Sequence, residues 1–204
     1  MKKRITGIVL GLGMALATAA HGAGDPKAGQ SNAAVCAGCH GQNGAQPVQP
    51  VYPKLAGLGE TYLYKQLQHI KAGERQIPEM TGLLANFSDQ DLLDLATYFD
   101  QQQTPIGKAN PDLVKKGEQL YRGGNLASGV PACAGCHNPQ GLGNEPGGFP
   151  RLSGQHPDYV VKQLKAYRAG DRSTGSMSQI MMDVASGLTE EEMEAVASYV
   201  SGLH

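Results

Sequence analysis

The chain reads as an all-α protein made of two tandem copies of one small helical domain, and three features of its sequence predict this. Each half carries amphipathic stretches with apolar residues at helical spacing, and no stretch alternates apolar and polar residues strongly enough to compete as a strand. Two helices open on capping boxes, Ser88-Asp89-Gln90-Asp91 and Thr189-Glu190-Glu191-Glu192, where the cap hydroxyl and the acid three residues on satisfy two free backbone N–H groups. The chain also repeats itself at an offset of 97 residues, the distance from residue 36 to residue 133. At that offset Pro53-Lys54-Leu55-Ala56-Gly57 meets Pro150-Arg151-Leu152-Ser153-Gly154, and Ala72-Gly73-Glu74-Arg75 meets Ala169-Gly170-Asp171-Arg172. Tyr62 and Lys65-Gln66-Leu67 likewise meet Tyr159 and Lys162-Gln163-Leu164. So long a period means duplicated domains rather than stacked solenoid units.

Taken in order, the first segment is Met1-Lys2-Lys3-Arg4, an apolar run from Ile5 to Ala20, and small residues around His21-Gly22-Ala23. That is the layout of a secretory signal peptide, residues 1–22, with cleavage expected after Gly22. The run is shorter than the roughly 20 apolar residues that a membrane span needs, and it contains three glycines. The N-terminal domain, 23–103, is expected to hold a short helix around Pro26 to Val35, an amphipathic helix over Glu60 to Ala72, and the capped helix after Ser88. A polar stretch around Gln101 to Asn110, with a Pro and a Gly, places a linker at 104–112. The C-terminal domain, 113–204, repeats the order, its first helix running around Pro111 to Arg122 and its amphipathic helix over Asp158 to Ala169. It has nine more residues than the first copy between its first helix and its Cys pair, mostly Gly123 to Gly129, expected as a surface loop.

Loss of Lys2, Lys3 and Arg4 with the signal peptide takes the formal charge from −1 to −4. No basic patch suits a phosphate backbone, so nucleic-acid binding is excluded. Aromatic residues are few and Trp is absent, so two domains of about 80 to 90 residues have thin cores if side chains alone fill them. Domains of this size usually need a staple.

The staple is written in the cysteines. All four lie in two pentads, Cys36-Ala37-Gly38-Cys39-His40 and Cys133-Ala134-Gly135-Cys136-His137. A Cys pair two residues apart, followed at once by His, is the signature of covalent c-type haem attachment. Both sulfurs add to vinyl groups of one porphyrin while the adjacent imidazole reaches the iron. A zinc site built from the four cysteines would leave both histidines without a role, and a redox disulfide pair would need a βαβ setting that is not here. Two covalently bound haem groups are therefore expected, one per domain, each wrapped by Leu, Ile, Val and Met.

His40 and His137 are the proximal iron ligands by position. For the distal side, Met80 is the one methionine of the first half beyond the signal peptide, on a loop between Pro78 and the capped helix. In the second half Met193 falls inside the last helix and reads as core, leaving Met177, Met181 and Met182. The offset of 97 pairs Met80 with Met177, whereas aligning Ser88 with Thr189 gives 101 and pairs it with Met181. Met181 is preferred, because Ser173-Thr174-Gly175-Ser176 then reads as a four-residue insertion; Met177 and Met182 stay open as alternatives. Pro53 and Pro150, each 13 residues past its His, offer a carbonyl to the other imidazole nitrogen. Arg75 and Arg172 are candidates to pair with haem propionates. His69, His156 and His204 have no counterpart in the other copy and read as surface residues.

These pentads, the Pro-x-Leu-x-Gly element after each, the Gly-Glu-Arg or Gly-Asp-Arg before each methionine and the signal peptide resemble the cytochrome c4 family of dihaem cytochromes c. The resemblance covers nearly the whole chain beyond residue 22. It implies two class I cytochrome c domains, with haem-binding cysteines at Cys36, Cys39, Cys133 and Cys136 and axial pairs His40 with Met80 and His137 with Met181. It further implies a periplasmic electron carrier, not an enzyme, with redox partners in the respiratory chain. Those partners are a quinol-oxidising complex and a membrane terminal oxidase, with peripheral association at the inner membrane. Physically, an iron with six protein and porphyrin ligands has no vacant site and can only gain or lose one electron, and thioether ligation raises its potential. The competing readings are an electron-accepting subunit of a dehydrogenase, as in flavocytochromes, and a dihaem enzyme of peroxidase or thiosulfate-oxidising type with one open iron.

Overall fold

The computed structural model describes residues 24–204, so the signal peptide expected at 1–22 lies outside the described residues. Among these residues the protein is helical, its only β features being two isolated bridges, Asn125 with Val130 and Asn144 with Phe149. The N-terminal half holds α1 (Pro26–Asn32), α2 (Ala34–His40), α3 (Glu60–Lys71) and α4 (Asp89–Asp100); the C-terminal half holds α5 (Pro111–Gly123), α6 (Ala134–His137), α7 (Pro157–Ala169), α8 (Ser176–Ser186) and α9 (Glu190–Gly202).

In both halves the first and last helices pack closely, α1 on α4 and α5 on α9, and the amphipathic helix leans on the last, α3 on α4 and α7 on α9. Glycine makes the crossings possible. A Cβ on Gly29 would lie 2.0 Å from the Asp94 carbonyl oxygen, and one on Gly117 would lie 2.3 Å from that of Ala195. Below these crossings sit two cores, one around Leu95 and Phe99, the other around Tyr121, Met193 and Val200. Both capping boxes form as read: Ser88 Oγ accepts from Asp91 N–H and Thr189 Oγ1 from Glu192 N–H, while each acid accepts from the cap residue's own N–H.

The structure departs from the sequence reading in two places. The first helix does not run on to Val35; it stops at Asn32, and after Ala33 a second helix carries the whole first pentad. The segment that carries the candidate methionines of the second half is no simple copy of the first. Met80 ends a single 3-10 turn (Pro78–Met80), whereas Met177, Met181 and Met182 ride on α8. As the sequence reading placed it, α5 starts at Pro111, overlapping the end of the expected 104–112 linker, because Asn110 caps it by accepting from Asp112 N–H and Pro suits the first helical turn. The nine-residue insertion is a surface loop, with Leu126 96% exposed at its tip.

Candidate functional site

Each half encloses a cavity beside its pentad. In the N-terminal cavity, of about 240 Å³, α2 turns Cys36 partly inward, leaves Cys39 at the exposed rim and buries His40 to 8% exposure. The C-terminal cavity, of about 460 Å³, has Cys133, Cys136 and His137 in the same arrangement, with His137 7% exposed. The imidazoles are held alike: Nδ1 of His40 lies 2.9 Å from the Pro53 carbonyl oxygen, and Nδ1 of His137 lies 2.9 Å from that of Pro150. A carbonyl only accepts, so Nδ1 carries the hydrogen and Nε2 keeps its lone pair for a metal. Burial lowers both imidazole pKa values, and the proline carbonyls oppose this only in part, so both rings stay neutral and able to ligate at neutral pH.

The inner cysteine of each pair lacks the lowered pKa of a redox-active thiol. Burial, with the neighbouring Cys39, pushes the Cys36 thiol up to about 11, and burial likewise pushes Cys133 up to about 11. Reactive Cys-x-x-Cys thiols are shifted the opposite way. Nor do the cysteines gather for zinc, since no group of three or more Cys, His, Asp or Glu among the described residues is placed to hold a metal ion.

Met80 lines the N-terminal cavity with His40. In the C-terminal cavity Met181 lines the wall and packs against the buried core, Met177 lines the wall but is 37% exposed, and Met182 does not reach it. Helical geometry explains the split, for on α8 residues 177 and 181 share a face that 182 leaves. Met193 is fully buried in the core, as read.

The two cavities meet at a seam between the halves that the local sequence did not announce. Arg75 and Arg172 both sit there, Arg172 with 7% exposure. Neither guanidinium meets a carboxylate among the described residues; their partners are Gln66, Gln163, Tyr62 and Tyr159. Buried cations without anions are costly. Two acidic groups supplied from the cavities would neutralise them, which is what the carboxylates of two haems provide, so the residues present fit the cofactor on both the apolar and the charged side. His69 and His156 are half-buried rather than at the open surface, His69 lining the C-terminal cavity from α3 and His156 lying beside Lys54; His204 is exposed.

The cytochrome c family model matches residues 26–103 and again 114–204. Among known proteins, the chain is 51% identical to cytochrome c4 of Azotobacter vinelandii over the full length of both. It is 36% identical to a thiosulfate dehydrogenase electron acceptor of Thiomonas intermedia, covering 73% of this chain and 69% of that one. The crystal structure of reduced cytochrome c4 from Pseudomonas stutzeri superposes with a TM-score of 0.85 at 50% identity, covering 89% of this chain and 100% of that one. With one cavity and one haem-attachment pentad in each matched half, the chain belongs to the cytochrome c4 family of electron carriers, which are not enzymes, and each of its two cytochrome c domains carries one covalently bound haem c with its iron.

Proposed function

We propose that His40 and Met80 would hold one haem iron and His137 and Met181 the other, with Cys36, Cys39, Cys133 and Cys136 as the covalent anchors. The supporting observation is the pair of cavities in which an oriented, neutral imidazole and a methionine line the same space. Bound haem supplies a one-electron couple, with a potential raised by thioether ligation and burial. The chain's own part is to keep both irons closed. The Pro53 and Pro150 carbonyls fix the imidazoles, α8 and the Pro78–Met80 turn present sulfur, and the apolar walls exclude water.

On this reading the protein is a periplasmic carrier, exported by its signal peptide. It takes single electrons from a quinol-oxidising complex and delivers them to a terminal oxidase while in peripheral contact with the inner membrane. No described helix is long and apolar enough to cross a membrane. A second reading, acceptor subunit of a dehydrogenase, has specific support in the likeness to a thiosulfate dehydrogenase electron acceptor.

Substitution of the methionines tests the ligation and the carrier role together. Met80→Ala and Met181→Ala are each expected to open one iron, giving a high-spin signal and rapid carbon monoxide binding when reduced. Met177→Leu and Met182→Leu leave both irons low-spin. The reduced native protein is expected to give its electrons to oxidase-containing membranes without binding carbon monoxide. Loss of the second low-spin centre in Met177→Leu transfers the ligand to Met177, and an open iron in the native protein removes the carrier reading.

A further inference from the structure

The two cavities share a wall. Leu58, Tyr62, Gln66 and Arg75 of the N-terminal half and Tyr159, Gln163 and Arg172 of the C-terminal half line both. Its polar members are exchanged by the 97-residue repeat, so the wall is a pseudo-twofold device. Arg75 donates to Gln66 Oε1 of its own half at 2.7 Å and to Gln163 Oε1 of the other at 3.1 Å. Arg172 donates to Gln163 Oε1 of its own half at 2.7 Å, and to Tyr62 OH at 2.6 Å and Gln66 Oε1 at 3.3 Å of the other. Its guanidinium also stacks on the Tyr167 ring, 4.6 Å from the centroid.

We propose that Arg75 and Arg172 are a common electrostatic determinant of both redox centres, each arginine raising the potential of the haem in the opposite domain as well as its own. A fixed cation favours the state with one more electron, and inside a protein its field is weakly screened. Since each guanidinium lines both cavities and its hydrogen bonds cross the seam, its charge cannot be assigned to one domain. This goes further than the ligation proposed above, on which it rests. It makes the seam an element that tunes the carrier, where the sequence alone offered two separate propionate partners.

Redox titration of the holoprotein, with the two steps assigned by paramagnetic proton NMR, tests it. Arg75→Gln and Arg172→Gln are each expected to lower both potentials, moving the reduced-to-oxidised ratio at fixed applied potential about tenfold toward oxidised, or ~59 mV for a one-electron couple. Arg75→Lys and Arg172→Lys keep the charge and leave both potentials within about 20 mV of native, a twofold change on the same scale. Gln163→Glu is close to isosteric and sets a carboxylate against both guanidiniums without emptying the seam; it is expected to lower both potentials even if the glutamine variants at 75 and 172 do not fold. A shift confined to the domain that carries the substitution overturns the proposal, as does a Lys variant that shifts as far as its Gln counterpart. A native protein lacking two low-spin centres overturns the ligation itself, a separate and separately visible failure.

Discussion

At the scale of single residues, Gly117 and Gly29 decide how closely the first and last helices of each half approach. On helix propensity alone, replacing an interior glycine by alanine stabilises by ~1 kcal/mol. Here the added Cβ at residue 117 lies 2.3 Å from the Ala195 carbonyl oxygen and 2.6 Å from Tyr199 Cβ, the former a backbone atom held in α9. Overpacking of this kind costs ~1–3 kcal/mol, so the clash wins and Gly117→Ala is expected to destabilise the holoprotein. Denaturant unfolding measures it, and a variant as stable as native would show that α5 can move off α9 cheaply. Spacing made other single residues legible. Two prolines 13 residues past two histidines implied a shared carbonyl contact, and both contacts form. Arg75 and Arg172 were visible as a repeated pair, but nothing local says that a guanidinium faces the other copy, because that contact depends on how two finished domains meet.

At the scale of elements, helix ends were easier to read than helix interiors. Capping boxes are local chemistry, and both stand where the Ser and Thr placed them. The pentad helices were missed because Gly38 and Gly135 lie inside them, and a glycine there argues against a helix until tertiary contacts outvote it. α8 was missed for another reason: the first copy has only a turn at that place, and a repeat predicts likeness, not divergence. The cap of α9 carries a pH dependence. The Thr189 backbone N–H, then the Asn125 and Thr189 side chains, hold the Glu192 carboxyl below its usual range against a partly opposing desolvation. A folded pKa below the unfolded one means stabilisation that is complete above the ordinary glutamate value and lost as pH falls through the folded value. Glu192→Gln is therefore expected to flatten the acid limb of melting temperature against pH, and Thr189→Ala to cost ~1 kcal/mol at neutral pH. Parallel acid limbs for Glu192→Gln and native protein would place the acid sensitivity elsewhere.

At the scale of the whole molecule, the repeat revealed two domains but not that they form one body, since residues a hundred positions apart leave no local trace of touching. The seam is nevertheless dense. Lys54 and Gln155 exchange hydrogen bonds, Lys54 N–H to Gln155 Oε1 at 2.9 Å and Gln155 Nε2 to the Lys54 carbonyl at 3.0 Å. Thr61 N–H donates to Glu145, and Thr174 Oγ1 donates to the Glu74 carbonyl. The centre of this latch is the Lys54 ammonium, which donates to the Pro105 carbonyl of the linker at 2.7 Å and to the Gly154 carbonyl of the second domain at 2.6 Å. Burial lowers the Lys54 pKa, so the unfolded chain binds the extra proton more readily and this residue's contribution to stability rises with pH toward the ordinary lysine value. Lys54→Met relieves that burial cost but leaves two carbonyls at the seam without a donor. Each such loss costs ~1–3 kcal/mol, more than relief of a modest desolvation returns, so the sign is destabilising. For a chain of this length the melting temperature is expected to fall by about 5 °C. Calorimetry of the dihaem protein reads that fall, and small-angle scattering reads its cause as a larger radius of gyration when the domains part. If Lys54→Met melts with the native protein and scatters identically, the domains are held together by the arginine wall and not by the lysine latch.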